Sequence, residues 1–327
     1  IFAFWEELTT SQREQLLNHA EGVDYAFLER VFKQKGAGEP DISDITPPHI
    51  NVKEKTPSIV VKKGEQAIKD GKLAIFIVAG GQGSRLGFDG PKGCYPISPV
   101  KEKTLFHLFA EKVLAANELY NTTIELYIMT SETNNDVTVS FWEAHDFFGL
   151  NKDAVAFFKQ QMIPAVDERG KIMLKNKDSL ALAPGGTGGI YSALHNAKIP
   201  RRMEEKGIEL LHYIHVDNPL AVIPDPAFVG QHIADGAEMS AKVVEKAYPE
   251  ERVGIYVMKE GKAKNVEYIF MLEELLYQKD ENGKLSYRAG NIGNHIINRD
   301  FITRIATDEE LPYFMAHKKI AHITKDA

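Results

Sequence analysis

Arg85 and Lys92 lie seven residues apart in Val78-Ala79-Gly80-Gly81-Gln82-Gly83-Ser84-Arg85-Leu86-Gly87-Phe88-Asp89-Gly90-Pro91-Lys92. Gly80, Gly81, Gly83 and Gly87 let the backbone come close to a ligand and turn N–H groups toward phosphate oxygens. The guanidinium and the ammonium add two fixed positive charges. Together these residue types suit a triphosphate. The spacing is not that of a Walker A loop, since no Gly-Lys-Ser/Thr closes it. Nor is it the dinucleotide fingerprint: the third glycine position is Leu86, and Pro91 blocks the helix that fingerprint opens. A tight turn carrying an ordinary surface Arg and Lys is the plain alternative.

A second candidate is Asp217, which follows the apolar run Leu211–Val216 and precedes Asn218-Pro219. A carboxylate at the exit of a buried strand is placed to hold Mg²⁺ against substrate phosphates, because Mg²⁺ uses one or two carboxylates and fills its other positions with phosphate or water oxygens. The same tripeptide can simply start a turn. His215 shares a strand face with Asp217 and can line the same site. His212, three residues earlier, points to the opposite face, so the two histidines cannot share a zinc ion. A third candidate is the glycine run Gly185-Gly186-Thr187-Gly188-Gly189, which follows Pro184 and opens a helix pattern. It can lay backbone against a base or ribose, or act only as a connector.

The elements that must position these groups are readable from periodicity. Strand patterns occur at 73–78, 124–129, 210–216, 241–244, 254–258 and 265–269. Helix patterns run over 104–119, 135–147, 189–197 and 226–234. Their alternation predicts an α/β fold, a doubly wound and mostly parallel sheet flanked by helices. Ahead of it, residues 1–35 read as helical, with Ser11-Gln12-Arg13-Glu14 fitting a capping box and a second helix over 24–34. Residues 36–57 carry Gly36, Gly38, Pro40, Pro47, Pro48 and Pro57, a strap-like composition. The expected organisation is therefore a helical segment with a strap over 1–70, a catalytic domain over 71–310, and the start of an incomplete C-terminal region over 311–327.

Bulk properties narrow the classes. A net charge of −7 argues against a nucleic-acid surface. Cys94 is the single cysteine, so neither a disulfide framework nor a cysteine zinc site forms within one chain. No apolar run reaches the roughly 18–20 residues of a bilayer span. A cytoplasmic protein, monomeric or weakly dimeric, is the expectation.

The first glycine loop resembles the nucleotide-binding signature of eukaryotic-type UDP-N-acetylglucosamine pyrophosphorylases. The likeness continues in order through Phe157-Phe158-Lys159-Gln160, Ala183-Pro184-Gly185-Gly186-Thr187, His215-Val216-Asp217-Asn218, Ala241–Lys246, Val266-Glu267-Tyr268, Ala289-Gly290-Asn291-Ile292 and Lys318-Lys319-Ile320. It implies nucleotide contacts from Val78, Ala79, Gly80, Gly81, Lys92, Gln160, Gly186, His215 and Asp217. It also implies sugar contacts from Thr187, Gly254, Glu267, Tyr268 and Asn291, catalytic roles for Arg85 and Lys92, and Mg²⁺ (Mn²⁺ as a substitute) on Asp217. Two positions depart from the family pattern. Thr187 replaces an Asn and Gly185 an Asp, which bears on the choice of sugar.

What the resemblance implies chemically is uridylyl transfer. An oxygen of a sugar 1-phosphate, N-acetylglucosamine 1-phosphate in the first instance, attacks the α-phosphorus of UTP and pyrophosphate leaves. UDP-glucose or broad UDP-sugar synthesis is the alternative within the class, and a non-catalytic nucleotide-sugar-binding fragment the alternative outside it. The attacking phosphate is already anionic, so alignment and charge stabilisation suffice without a general base. The family continues past Ile320 into a Gly-Ile-Lys block that this sequence lacks.

Overall fold

The computed structural model describes residues 1–33, 41–185, 188–307 and 319–325. It divides into two compact units, one of Pro40–Lys159 with Ala193–Glu309, the other of Ile1–Glu39, Gln160–Ser192 and Glu310–Ala327.

The larger unit is built on an eight-stranded sheet: β1 Leu73–Val78, β2 Leu126–Thr130, β3 Val155–Lys159, β4 Leu210–His215, β5 Met239–Glu245, β6 Ile255–Lys259, β7 Lys262–Val266 and β8 Ala289–Asn298. The order is β7-β6-β8-β4-β1-β2-β3, with β5 also paired to β8. Strands β4, β1, β2 and β3 run parallel. Their near-continuous apolar sequences follow from burial on both faces. Strand β8 joins this parallel core antiparallel to β4 and carries β5 and β6 as antiparallel neighbours. Hairpin β6–β7 turns through Glu260 and Gly261, both at positive φ, the geometry that matches strand twist.

Helix Leu105–Tyr120 covers the sheet with Leu105, Phe106, Phe109, Ala110, Val113 and Ala116, all buried on one face. Thr104 caps it by accepting the His107 amide at 3.2 Å. The expected start of β2 at Ile124 is two residues early, because the Ile124 amide donates instead to Asn117 Oδ1 at 2.9 Å. Helix Asn135–Ala144 also stops short of the expected end, since Asp146, Phe147 and Phe148 take positive φ.

Helix Ser58–Lys69, which periodicity did not pick out, lies backbone to backbone against helix Pro226–Asp235. A Cβ on Gly64 would sit 1.9 Å from the Pro226 carbonyl oxygen, and one on Gly230 would sit 1.9 Å from that of Val60. Asp225 caps the second helix and is itself buried, paired with Lys53 at 3.0 Å and with Lys242.

The smaller unit holds helices Thr10–Glu21 and Tyr25–Lys33 and two short two-stranded antiparallel sheets, around a core of Phe4, Leu8, Leu16, Leu174 and Leu180. Its first helix is capped by Thr9, not Ser11. Gln12 accepts the Thr9 amide at 3.0 Å while the Thr9 hydroxyl accepts the Gln12 amide at 3.4 Å. Among the described residues no helix is long and apolar enough to cross a membrane.

Candidate functional site

Strand β1 delivers the first glycine loop, strand β4 delivers Asp217, and the two strands are neighbours. Their register pairs Val78 with His215, the last residue of each. The Val216 amide then donates to the Val78 carbonyl at 3.0 Å. Both chains therefore leave the sheet side by side at its carboxyl edge, where ligands collect in open α/β folds.

The loop closes on itself. Lys92 N donates to Gly81 O at 3.0 Å, Gly83 N to Gly90 O at 2.8 Å, Leu86 N to Gly83 O at 2.8 Å, Gly87 N to Ser84 O at 3.1 Å and Phe88 N to Gly83 O at 3.2 Å. The amides of Gly80, Gly81, Gln82, Ser84 and Arg85 take no part in this closure. The Phe88 ring occupies the space a Cβ would need at Gly83 or Gly90, while nothing lies within 4 Å of a Cβ at Gly81. Packing thus explains the glycines at 83 and 90 but not the one at 81, whose open side is free for a ligand.

Asn134 holds the loop from beneath, and sequence reasoning missed it. It is buried, donates from Nδ2 to the carbonyls of Ala79 at 3.0 Å and Gly81 at 3.3 Å, and accepts the Ser131 amide at 2.7 Å. The signal was a polar Ser131-x-x-Asn134 run directly after the fully buried β2.

Across the strand boundary, Lys92 Nζ donates to Asp217 Oδ2 at 3.0 Å, with the two side chains 20% and 54% exposed. Partial burial would raise the Asp217 pKa, but the Lys92 hydrogen bond and charge, with a smaller contribution from His215, hold it below the ordinary carboxylate value. Burial and the Lys92 charge lower the His215 pKa against the pull of Asp217. At neutral pH the site holds an ammonium, a carboxylate and a neutral imidazole. Arg85 sits exposed in the turn Ser84–Leu86 and makes no ion pair among the described residues. No hydrogen bond or ion pair joins it to Lys92 or Asp217, which pair with each other.

The same sheet edge continues onto β8. His215 Nε2 is hydrogen-bonded to the Tyr213 hydroxyl at 2.8 Å. A Cβ on Gly293, whose φ is +62°, would come within 2.3 Å of His215 Cδ2. Strand β8 shifts register between Asn291 and Asn294, and in this bulge Gly293 N donates to Asn291 Oδ1 at 2.9 Å. Asn291 N in turn donates to Gly254 O at 2.8 Å, and a Cβ on Gly254 would sit 3.3 Å from Glu267 Oε1. Four expected site positions (His215, Asn291, Gly254 and Glu267) are thereby linked in one row beside the Lys92–Asp217 pair. Tyr268 begins a short 3-10 turn after Glu267, so the strand expected over 265–269 ends at Val266.

Gln160 belongs to the smaller unit, half-buried, with Nε2 at 3.9 Å from Met162 Sδ. Gly185 is described there too, its amide donating to Gln161 O at 3.2 Å. Gly186 and Thr187 lie outside the described residues.

As a cation site the donor set is sparse. No group of three His, Cys, Asp or Glu side chains is clustered among the described residues, and His215 Nε2 is already engaged by Tyr213. One ionised, half-exposed carboxylate remains. That does not suit a protein cage, but it does suit a hard cation whose other ligands come from substrate phosphates and water.

The parallel core with its loop and carboxylate at adjoining strand ends places the protein among nucleotidyltransferase-like α/β folds. It belongs to the UTP--glucose-1-phosphate uridylyltransferase family, which matches residues 25–326. The chain is similar to UDP-N-acetylhexosamine pyrophosphorylase-like protein 1 of Mus musculus, 40% identical over 273 residues, covering 81% of this chain and 54% of that protein. UDP-N-acetylglucosamine diphosphorylase 2 of Arabidopsis thaliana is 34% identical over 351 residues, covering 100% and 70%. The crystal structure of the uridine diphosphate N-acetylglucosamine pyrophosphorylase from Trypanosoma brucei in complex with inhibitor matches with a TM-score of 0.79 at 29% identity, over 90% of this chain and 63% of that one. The chain spans about half the length of the mouse relative it matches.

Proposed function

We propose that this chain carries out uridylyl transfer: UTP and N-acetylglucosamine 1-phosphate give UDP-N-acetylglucosamine and pyrophosphate. The observation that carries the reading is the meeting of Lys92 and Asp217 at 3.0 Å, at the carboxyl ends of two adjacent parallel strands. Family membership and the names of the relatives supply the substrate class.

In this reading the Lys92–Asp217 pair is a resting arrangement. Incoming triphosphate competes for the ammonium, and Lys92 turns from one carboxylate to several phosphate oxygens. Mg²⁺ held on Asp217 would neutralise charge on the phosphates as it develops. The unused amides of Gly80, Gly81 and Gln82 bind phosphate oxygens, and Arg85 folds in from solvent to add charge to the departing pyrophosphate. The resemblance assigns Gln160 and Gly186 to the nucleotide and Thr187 to the sugar. Glu267, Tyr268, Asn291 and Gly254 take the sugar. The nucleophile needs no base because the sugar phosphate is already ionised, so rate comes from alignment. A cytoplasmic setting agrees with Cys94 being the single cysteine and buried as a free thiol.

Pyrophosphate release from UTP with N-acetylglucosamine, N-acetylgalactosamine, glucose and galactose 1-phosphates tests the proposal. Preference for an N-acetylhexosamine phosphate is expected. Preference for glucose 1-phosphate shifts the reading to UDP-glucose synthesis, and UDP-sugar binding without turnover makes the chain a binding fragment.

A further inference from the structure

Between the two side chains expected to touch the sugar stands a third that nothing so far assigns. Asn265 lies on β7, two residues before Glu267 and beside the β8 bulge. It accepts from Asn291 Nδ2 through its Oδ1 at 3.2 Å and donates from Nδ2 to Glu267 Oε1 over a long 3.4 Å. At the far end of this run Gly293 N donates to Asn291 Oδ1 at 2.9 Å.

The direction of the run is fixed at both ends. A backbone N–H can only donate, and an ionised carboxylate can only accept. Asn291 must therefore turn Oδ1 to Gly293 and Nδ2 to Asn265, and Asn265 must turn Oδ1 to Asn291 and Nδ2 to Glu267. Neither amide can flip without setting donor against donor or acceptor against acceptor. Room for the middle amide comes from Gly254, where a Cβ would sit 2.9 Å from Asn265 Oδ1.

We propose that Asn265 is a positioning residue for sugar specificity, fixing Asn291 as a hydrogen-bond donor and Glu267 as an acceptor toward the sugar. The second N–H of Asn291 Nδ2 and the free Oε2 of Glu267 are then the groups offered. A donor suits the carbonyl of an acetamido group or a hydroxyl oxygen, and an acceptor suits a sugar hydroxyl. This rests on the uridylyltransferase reading and deepens it at the sugar.

Calorimetric titration with UDP and with UDP-N-acetylglucosamine separates the two claims. Wild type is expected to bind both, the sugar nucleotide more tightly. Asn265→Asp keeps the size but places a second carboxylate beside Glu267. It should lose roughly tenfold in affinity for the sugar nucleotide, the scale of one charge-affected hydrogen bond, with UDP affinity unchanged. In the Asn265→Asp, Glu267→Gln double variant the carboxylate at 265 accepts from both neighbours, so Asn291 keeps its orientation and part of the loss is recovered. Unchanged sugar-nucleotide affinity in Asn265→Asp, or equal loss for UDP and UDP-N-acetylglucosamine, overturns the role of Asn265 while leaving the uridylyltransferase reading in place. No UDP binding by wild type overturns both.

Discussion

Lys92 and Asp217 neutralise each other across 3.0 Å with Asp217 exposed and Lys92 only partly covered, so the pair contributes little to stability. In the proposed reading, the pair exchanges its partner for a charged ligand. Asp217→Asn is accordingly expected to lower pyrophosphate release at saturating UTP by at least about a hundredfold, with a melting temperature within a few degrees of wild type; loss of folding instead would mark Asp217 as structural. Gly293 behaves differently. Its φ of +62° and the His215 ring 2.3 Å from any added Cβ leave no room for a side chain. Gly293→Ala is expected to displace His215, cost about 1–3 kcal/mol in urea unfolding and weaken nucleotide binding. A neutral outcome in both measurements would mean that the bulge is soft.

At the scale of elements, the contact of helix Ser58–Lys69 with helix Pro226–Asp235 depends on two glycines facing backbone. Gly64→Ala should destabilise by about 3 kcal/mol or more, since the obstacle is a carbonyl that cannot rotate away. Chemical unfolding checks it, with Gly81→Ala as a comparison that has open space. This helix escaped periodicity because its close face is glycine rather than a stripe of large apolar residues. Strand β8 was unreadable for a related reason. Its Ala289-Gly290-Asn291-Ile292-Gly293-Asn294 opening has the composition of a loop, and it becomes a strand only through pairing with β4, β5 and β6. By contrast β1 and β4 were legible almost to the residue, because strands buried on both faces write their environment directly into an apolar run. The loop and Asp217 stood out by residue type, and the fold brings Lys92 and Asp217 together. Asn134, Tyr213 and Asn265 were not, since a lone polar residue acquires meaning only from the partner that folding brings to it.

Over the whole molecule, stability should depend on neutral histidines. His212 and His295 are buried in the sheet, the former bonded to Asn294 Oδ1 at 2.9 Å and the latter to the Tyr256 hydroxyl at 2.7 Å. Burial pushes the pKa of each down to about 4. The unfolded chain takes up protons at these residues near pH 6.5, the folded one only near 4, so acid favours unfolding. Stability from this source is complete above about pH 6.5 and is lost as pH falls toward 4, by at most about 3 kcal/mol per histidine. Urea midpoints measured from pH 7.5 to 4.5 should fall steadily through that window; a flat profile would show that these histidines charge without cost.

Uridylyl transfer at this sheet edge requires the glycine loop and the Lys92–Asp217 pair to grip a nucleoside triphosphate. Calorimetric titration of UTP into wild type and Lys92→Ala addresses this without requiring turnover. The expected result is saturable binding to wild type and at least tenfold weaker binding to Lys92→Ala, with unfolding midpoints alike. Equal affinity in the two proteins would contradict the assignment of this site.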